Sequence, residues 1–432
     1  MYIDNIRIRN LRCFREVRLN LRHPSEDKEK YPDLKFRNVN LLIGDNGSGK
    51  TSIMRALALA VLAPVIRESG FRPFYLVRRD RSNKVNRAIV DAEAVLHQQD
   101  FSVKPARSKL QQGEFRTKFH AEILRRGDYE SVLSKQMSGR ALQAQQNLFI
   151  ENAPAFFVAG YGATRRVEDI SGAYSTREAH KQRTARYQRV AGLFESQVSL
   201  APLITWLPEI KARNKGRYSQ IQTLLNTLLP EEAKFTGVVA DHDFLFELRG
   251  QRVPFAALSD GYRAYIGWIC DLLYHVAMTC PSGMRLLENR GLVLVDEVDL
   301  YLHPGWQRNI IELVSTSLPN IQFVFASHSP LVASSLQREN IFVMELEKDG
   351  TSRVKQYSER IFGLSADQTL ESSYFGLPST RSSSFLDEIR ALTHKSKSSD
   401  PTAAMKLMDR VTGVDSSYKP GKTPRGLAAQ LK

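Results

Sequence analysis

Gly44-Asp45-Asn46-Gly47-Ser48-Gly49-Lys50-Thr51 is the stretch on which the fold turns. It has the spacing G-x-x-x-x-G-K-[ST]. Its flanks suit that spacing: Val39-Asn40-Leu41-Leu42-Ile43 reads as a buried strand, and the Ala-rich segment Ser52 to Val65 reads as a helix. A loop that wraps phosphate oxygens needs left-handed backbone and converging N–H groups, which glycine supplies. The expected phosphate contacts are Gly44, Asn46, Gly47, Gly49, Lys50, Thr51 and Ser52. Lys50 places a charge on the β- and γ-phosphates of ATP, Thr51 offers its hydroxyl to Mg²⁺, and the helix N-terminus adds its positive end.

Three further signals lie downstream. Gly291-Leu292-Val293-Leu294-Val295 is an apolar strand that ends in Asp296-Glu297. In an open α/β sheet such an end faces the ligand crevice. Asp296 is expected to hold Mg²⁺ through water, and Glu297 to polarise the attacking water as general base. Ile321 to Ala326 is a second apolar strand and leads into Ser327-His328-Ser329-Pro330, which makes His328 a candidate γ-phosphate contact. Leu258-Ser259-Asp260-Gly261 opens a helix, whose first turn can offer N–H donors beside the Ser259 hydroxyl.

The rest of the chain is coarser reading. Tyr2 to Ile8 and Val17 to Leu21 read as strands, as do Ala88 to Leu96, Phe115 to Leu124 and Phe156 to Ala159. Phe244 to Leu248 and Val253 to Phe255 flank Arg249-Gly250-Gln251-Arg252 as a hairpin. Helices are expected over Gly261 to Cys280, Pro304 to Ser317 and Pro330 to Leu336. Residues 171–227 turn helical and basic without a sustained heptad, and the Ser-, Lys- and Pro-rich chain after His394 reads as a mobile tail. The alternation of strands and helices predicts an α/β protein with a mostly parallel sheet.

Of 432 residues, 42% are hydrophobic and 25% charged, as in globular proteins. No apolar run is long enough to span a bilayer, so no membrane association is expected. Three cysteines, Cys13, Cys270 and Cys280, form neither a disulfide framework nor a zinc pattern, which fits a reducing cytoplasm. The formal net charge of +15 favours an anionic partner, most simply nucleic acid. Basic clusters occur at Arg78, Arg79, Arg81, Lys84 and Arg87, and at Arg177, Lys181, Arg183, Arg186 and Arg189. The one Asp-x-Asp, Asp241-His242-Asp243, reads as a solvated turn.

The four signals, in this order, resemble the ABC ATPase superfamily. In detail they resemble its non-transporter branch: RecF, the SMC proteins, the OLD nucleases and the ATPase subunits of defence systems such as Septu. Ile6-Arg7-Ile8-Arg9-Asn10-Leu11-Arg12-Cys13-Phe14 is similar to the N-terminal strand and turn of that branch. Asp296-Glu297-Val298-Asp299-Leu300-Tyr301-Leu302-His303-Pro304 and Ser327-His328-Ser329-Pro330 are similar to its OLD and defence members, and Tyr161-Gly162-Ala163-Thr164-Arg165 resembles the turn they carry in place of a glutamine loop.

The resemblance implies an ABC ATPase head: a mixed sheet with a P-loop core, an antiparallel β subdomain and a helical insertion. It implies that Ser259 and Gly261 bind the γ-phosphate held by another copy, hence a homodimer or higher even oligomer closed by ATP. The expected division is an N-terminal lobe over 1–165, a basic helical insertion over 166–235, a C-terminal lobe over 236–345 and an extension over 346–432. No glutamine follows Phe156 to Ala159, so that Mg²⁺ ligand has no counterpart, and Arg165 or Arg166 is the candidate for part of the loop's sensing role. No Asp-x-Asp follows His328, so no nuclease is expected in this chain. The reading is an ATPase subunit of an anti-phage system acting on a separately encoded nuclease or toxin. The rivals are a RecF-like ATPase that binds DNA itself, a transporter motor, and a module that holds ATP without turnover.

Overall fold

The computed structural model describes residues 1–79, 84–100, 114–134, 157–167, 184–196, 198–240, 242–397 and 401–412. Two compact units are present, Met1–Phe375 and Gly376–Lys432. In the first, β1 (Tyr2–Leu11) and β2 (Phe14–Asn20) form a hairpin, and β3 (Val39–Gly44) runs into α1 (Lys50–Glu68). Then come β4 (Arg87–His97), β5 (Glu114–Arg126), β6 (Tyr129–Ser134) and β7 (Phe157–Tyr161). A short parallel pair, β8 (Arg166–Val167) and β9 (Ser199–Leu200), precedes α2 (Leu203–Arg213) and α3 (Lys215–Leu228). The chain continues through β10 (Ala233–Ala240), β11 (Asp243–Leu248), β12 (Gln251–Pro254), α4 (Asp260–Thr279) and β13 (Gly291–Val295). It goes on through α5 (Ile310–Ser317), β14 (Ile321–Ala326), β15 (Ile341–Leu346) and β16 (Ser352–Lys355).

The central six-stranded sheet has the order β16-β15-β3-β14-β13-β7, parallel except for β16. Its faces alternate as a doubly covered sheet requires. Val39, Leu41, Ile43, Val293 and Val295 pack toward α2, α3 and α4, whereas Leu42, Leu292 and Leu294 pack toward α1. A five-stranded antiparallel sheet, β2-β1-β4-β5-β6, covers the far side of α1. That sandwich explains why α1 is apolar nearly all round rather than on one stripe. Fold class is therefore as expected: α/β, a mixed sheet carrying the phosphate loop, with an antiparallel β subdomain.

The order of the central sheet matters most. β3, β14 and β13 are adjacent and parallel, so the phosphate loop, the His328 turn and the Asp296-Glu297 pair leave from one edge of the sheet. Neighbouring strands lie about 4.8 Å apart, within side-chain reach.

Several expectations are corrected. The helix expected over Pro304 to Ser317 is broken: a turn at Pro304–Gln307 tightens, Asn309 N donating to Trp306 O at 3.0 Å, before α5 begins. The hairpin carries a third strand, β10, and its turn has Arg249 and Gly250 both at positive φ, as a tight hairpin demands. In the second unit the expected tail is helical in part, with α6 (Ser383–Lys397) and α7 (Pro401–Thr412) packed on each other and tied by Arg410 Nε to Glu388 at 3.0 Å. No helix among the described residues is long and apolar enough to cross a membrane.

Candidate functional site

The phosphate loop is held open by backbone. Gly44, Gly47 and Gly49 have φ of 145°, 81° and 108°. A Cβ on Gly44 would lie 2.4 Å from Met344 O, and one on Gly49 2.5 Å from Phe14 Cζ and 2.6 Å from Cys13 Sγ. Both glycines are thus required by packing as well as by dihedral. Gly47 faces open space, and Asp45 and Asn46 beside it are exposed. Ser52 is buried in the first turn of α1. Lys50 Nζ folds over the loop and donates to Gly44 O at 2.8 Å and Asp45 O at 3.2 Å. Burial lowers the Lys50 pKa, against the pull of Glu297 and Asp296.

Thr51 Oγ1 donates to Asp296 Oδ2 at 2.6 Å, joining the loop to the end of β13. The other Asp296 oxygen, Oδ1, is buried and has no hydrogen-bond partner among the described residues. A buried acceptor left unpaired next to a hydroxyl suits a hydrated Mg²⁺, which takes one or two protein oxygens and completes its shell with water and phosphate. Glu297 stands at φ 49°, a left-handed backbone that is uncommon for this residue type. Burial pushes its carboxyl up from the usual glutamate value, His328 pulls the other way, and Asp296 adds to the rise. His328 Nε2 lies 2.7 Å from Lys50 Nζ and 3.4 Å from Glu297 Oε1. Unprotonated, that nitrogen accepts from Lys50; protonated, it pairs with Glu297.

The His328 turn is anchored on both sides. Ser327 Oγ donates to Asp299 Oδ1 at 2.5 Å, and Ser329 Oγ donates to Gln307 Oε1 at 2.7 Å while capping the helix Pro330–Ala333. Ser259 begins α4, and its side chain makes no cap hydrogen bond. Ser259 is exposed, and with Gly261 it lines a cavity shared with Glu232, Arg249, Tyr301 and Trp306, none of them from the phosphate loop. The structure thus brings together Lys50, Thr51, Asp296, Glu297 and His328, and leaves Ser259 and Gly261 at a separate surface.

A family profile described as "AAA domain, putative AbiEii toxin, Type IV TA system" (AAA_21) matches residues 39–334, from β3 through the His328 turn. The chain belongs to this family. Among relatives of this AAA-domain protein, "Retron Vc95 probable ATPase" of Vibrio cholerae is 22% identical over 86% of this chain and 81% of that one. "Septu protein PtuA" of Bacillus mycoides is 22% identical over 88% of this chain, which spans only 45% of that longer protein. Among solved structures, an SMC head bound to the C-winged helix domain of ScpA covers 83% of this chain and 98% of that one, at 13% identity and a TM-score of 0.48. The AAA-domain chain is a P-loop ATPase by family.

In this AAA-domain protein Arg165 is buried, and Nη1 donates to Asp296 O at 2.5 Å and Nη2 to Glu297 O at 2.7 Å. Burial pulls its pKa down to about 10, against the pull of Asp296, Asp299 and Glu297. One guanidinium thereby fixes the backbone of both carboxylates. The turn before Arg165 is pressed against another loop: a Cβ on Gly162 would lie 2.1 Å from Gly192 O.

The second basic cluster is also corrected. Arg177, Lys181 and Arg183 lie outside the described residues, as do Arg81 of the first cluster and Asp241 of the acidic turn. Arg186 is buried and Arg189 half-buried, so neither belongs to a solvated helix face. Asp243, the described half of the Asp-x-Asp, accepts from Phe244 N at 2.8 Å and Ala256 N at 2.9 Å, a structural use.

Proposed function

We propose that this chain binds and hydrolyses ATP with Mg²⁺ as the ATPase subunit of an anti-phage defence system, that two copies close around ATP, and that the cycle controls a separately encoded nuclease or toxin. The observation that carries the reading is the division of the site. Lys50 and Thr51 with Asp296, Glu297 and His328 form one hydrogen-bonded group at the ends of β3, β13 and β14. Ser259, the remaining phosphate ligand, stands on an exposed surface of its own. A site missing one ligand in each protomer is completed by a second copy. In this reading Lys50 neutralises phosphate charge, Thr51 and Asp296 hold the metal, Glu297 takes the proton of the attacking water, and His328 reports on the γ-phosphate. The retron and Septu relatives support the defence setting.

Mixing two inactive variants tests the shared site. Lys50→Ala and Ser259→Arg chains are each expected to be inactive alone. Together they form mixed dimers with one intact site, and ATP turnover returns to a fraction of wild type. Turnover that stays absent in the mixture, while each variant still folds, rejects the trans arrangement. Co-purification with the products of neighbouring genes tests the effector; a chain that brings down no toxic partner does not fit this role.

A second reading, direct nucleic-acid binding, has its own observation. Phe74, Tyr75 and Tyr129 are 73%, 52% and 81% exposed on the antiparallel subdomain, and the Arg79 guanidinium sits 4.6 Å over the Tyr75 ring. Exposed aromatics beside arginine suit stacking on bases. Turnover stimulated by DNA, with a steep salt dependence, favours that reading.

A further inference from the structure

A cavity of about 170 Å³ opens behind the catalytic carboxylates, between the β7 edge of the central sheet and helices α2 and α4. It is comparable to the roughly 150 Å³ cavity that holds a benzene ring in another protein, so a single planar ring fits it. Three features of its wall agree on charge. Arg189 lines it, fixed to the sheet edge because its backbone O accepts from Gly160 N at 2.7 Å. Among the described residues no hydrogen bond or ion pair engages the Arg189 guanidinium, and burial pulls its pKa down to about 10. A half-buried cation that lacks a counter-ion favours an anion in the cavity beside it.

The second feature is the start of α2. Its first turn has no side-chain cap and no acidic residue, and Pro202 and Thr205 from that turn line the cavity. An uncapped helix N-terminus favours negative charge. The third is Arg165, which also lines the cavity and adds positive potential. Among the described residues the one carboxylate in the wall, Asp271, is already engaged: it accepts from Tyr161 Oη at 2.9 Å and Ala201 N at 2.7 Å and lies 3.3 Å from His275 Nε2. The rings of Trp206 and Tyr274 also line the cavity, with centroids 5.3 Å apart.

We propose that this cavity is a binding site, separate from the nucleotide site, for a small organic anion: a phosphate or carboxylate group on a planar ring. The anionic group pairs with Arg189 and the start of α2, and the ring lies against Trp206 and Tyr274. The position makes the site regulatory. Its wall includes Arg165, which holds the carbonyls of Asp296 and Glu297, and Asp271 on α4, the helix that Ser259 begins.

The test uses the full chain with its phosphate loop saturated by MgADP, so that only other sites remain open. Phenyl phosphate and benzoate are titrated separately, and binding is read by saturation-transfer NMR on the ring protons. At least one probe is expected to saturate with a Kd of about 1 mM or below. Arg189→Met should weaken that probe about tenfold, the value of a hydrogen bond to a charged group. Thr205→Glu, which places a carboxylate in the cavity, should abolish it. Retained MgADP binding by both variants reports that they fold. Preference for phenyl phosphate or for benzoate tells which anionic group the site takes. Saturation by neither probe, or equal binding to wild type and Arg189→Met, overturns the proposal. The readout needs no hydrolysis, so its failure is separable from failure of the ATPase reading.

Discussion

Replacing Arg165 with methionine should destabilise the protein by about 2–3 kcal/mol and slow ATP turnover far more than it weakens ATP binding. Arg165 makes two short bonds, to Asp296 O at 2.5 Å and Glu297 O at 2.7 Å. Hydrogen bonds from a charged donor contribute about 1.5–3 kcal/mol each, so the pair supplies about 3–6. Against this stands the burial of the guanidinium. A pKa drawn from 12.5 to about 10 corresponds to roughly 3 kcal/mol against the charged form. The balance is about 0–3 kcal/mol, and leaving two carbonyls without their donor raises the loss toward the upper end. Methionine fills much of the volume and adds no cavity. The kinetic effect has a different origin. Glu297 sits at φ 49°, a conformation that costs about 1–2 kcal/mol, and Arg165 holds its carbonyl there. Once released, the residue relaxes and its carboxylate leaves the neighbourhood of His328; a displacement of 1 Å costs about a hundredfold in rate. Urea denaturation followed by circular dichroism gives the first quantity, and phosphate release at saturating MgATP gives the second. Nucleotide affinity should stay within about threefold, because Lys50 and Thr51 are untouched. A variant with wild-type turnover at reduced stability would falsify the positioning role; unchanged stability would mean that the two bonds merely offset the burial.

Glu297→Gln should lower turnover by about 10²–10⁴-fold while retaining ATP, and should enrich an ATP-bound dimer by size-exclusion chromatography with light scattering. Thr51→Ala removes the bond to Asp296 and one metal oxygen; Mg²⁺-dependent ATP affinity, measured by calorimetry, should fall about tenfold while metal-free binding changes little. Gly49→Ala forces a methyl against Phe14 and Cys13 at φ 108°, so the melting curve should report a loss of about 2–3 kcal/mol along with lost nucleotide binding. Gly162→Ala collides with backbone, Gly192 O at 2.1 Å, and should reproduce the turnover defect of Arg165→Met by shifting the turn that carries it.

The phosphate loop, the carboxylate strand and the His328 strand were legible because each joins a short apolar run to residues whose chemistry is specific to one place in a sheet. The alternation that divides Val39, Leu41 and Ile43 from Leu42 could not be read as two faces until both covering layers were known. α7 was read as tail because Lys and Ser dominate its surroundings, although Ala403 packs inward at 4% exposure. Arg186 and Arg189 were read as a basic helical face because sequence spacing carries no information on what closes over a side chain. Arg165 acts through main-chain oxygens more than 130 positions away, at residues 296 and 297, and local pattern cannot reveal such a contact.

The anchoring of the His328 turn has a consequence for timing. Ser329 holds Gln307, Gln307 ends the short helix that carries Trp306, and the Trp306 ring stands edge-on to Tyr262, 4.7 Å away and three positions beyond Ser259. A shift of His328 is therefore passed along these contacts to the first turn of α4, which Ser259 begins. Under the proposed pairing of two copies around ATP, spending one nucleotide alters the grip on the other, and a single turnover is felt by both halves.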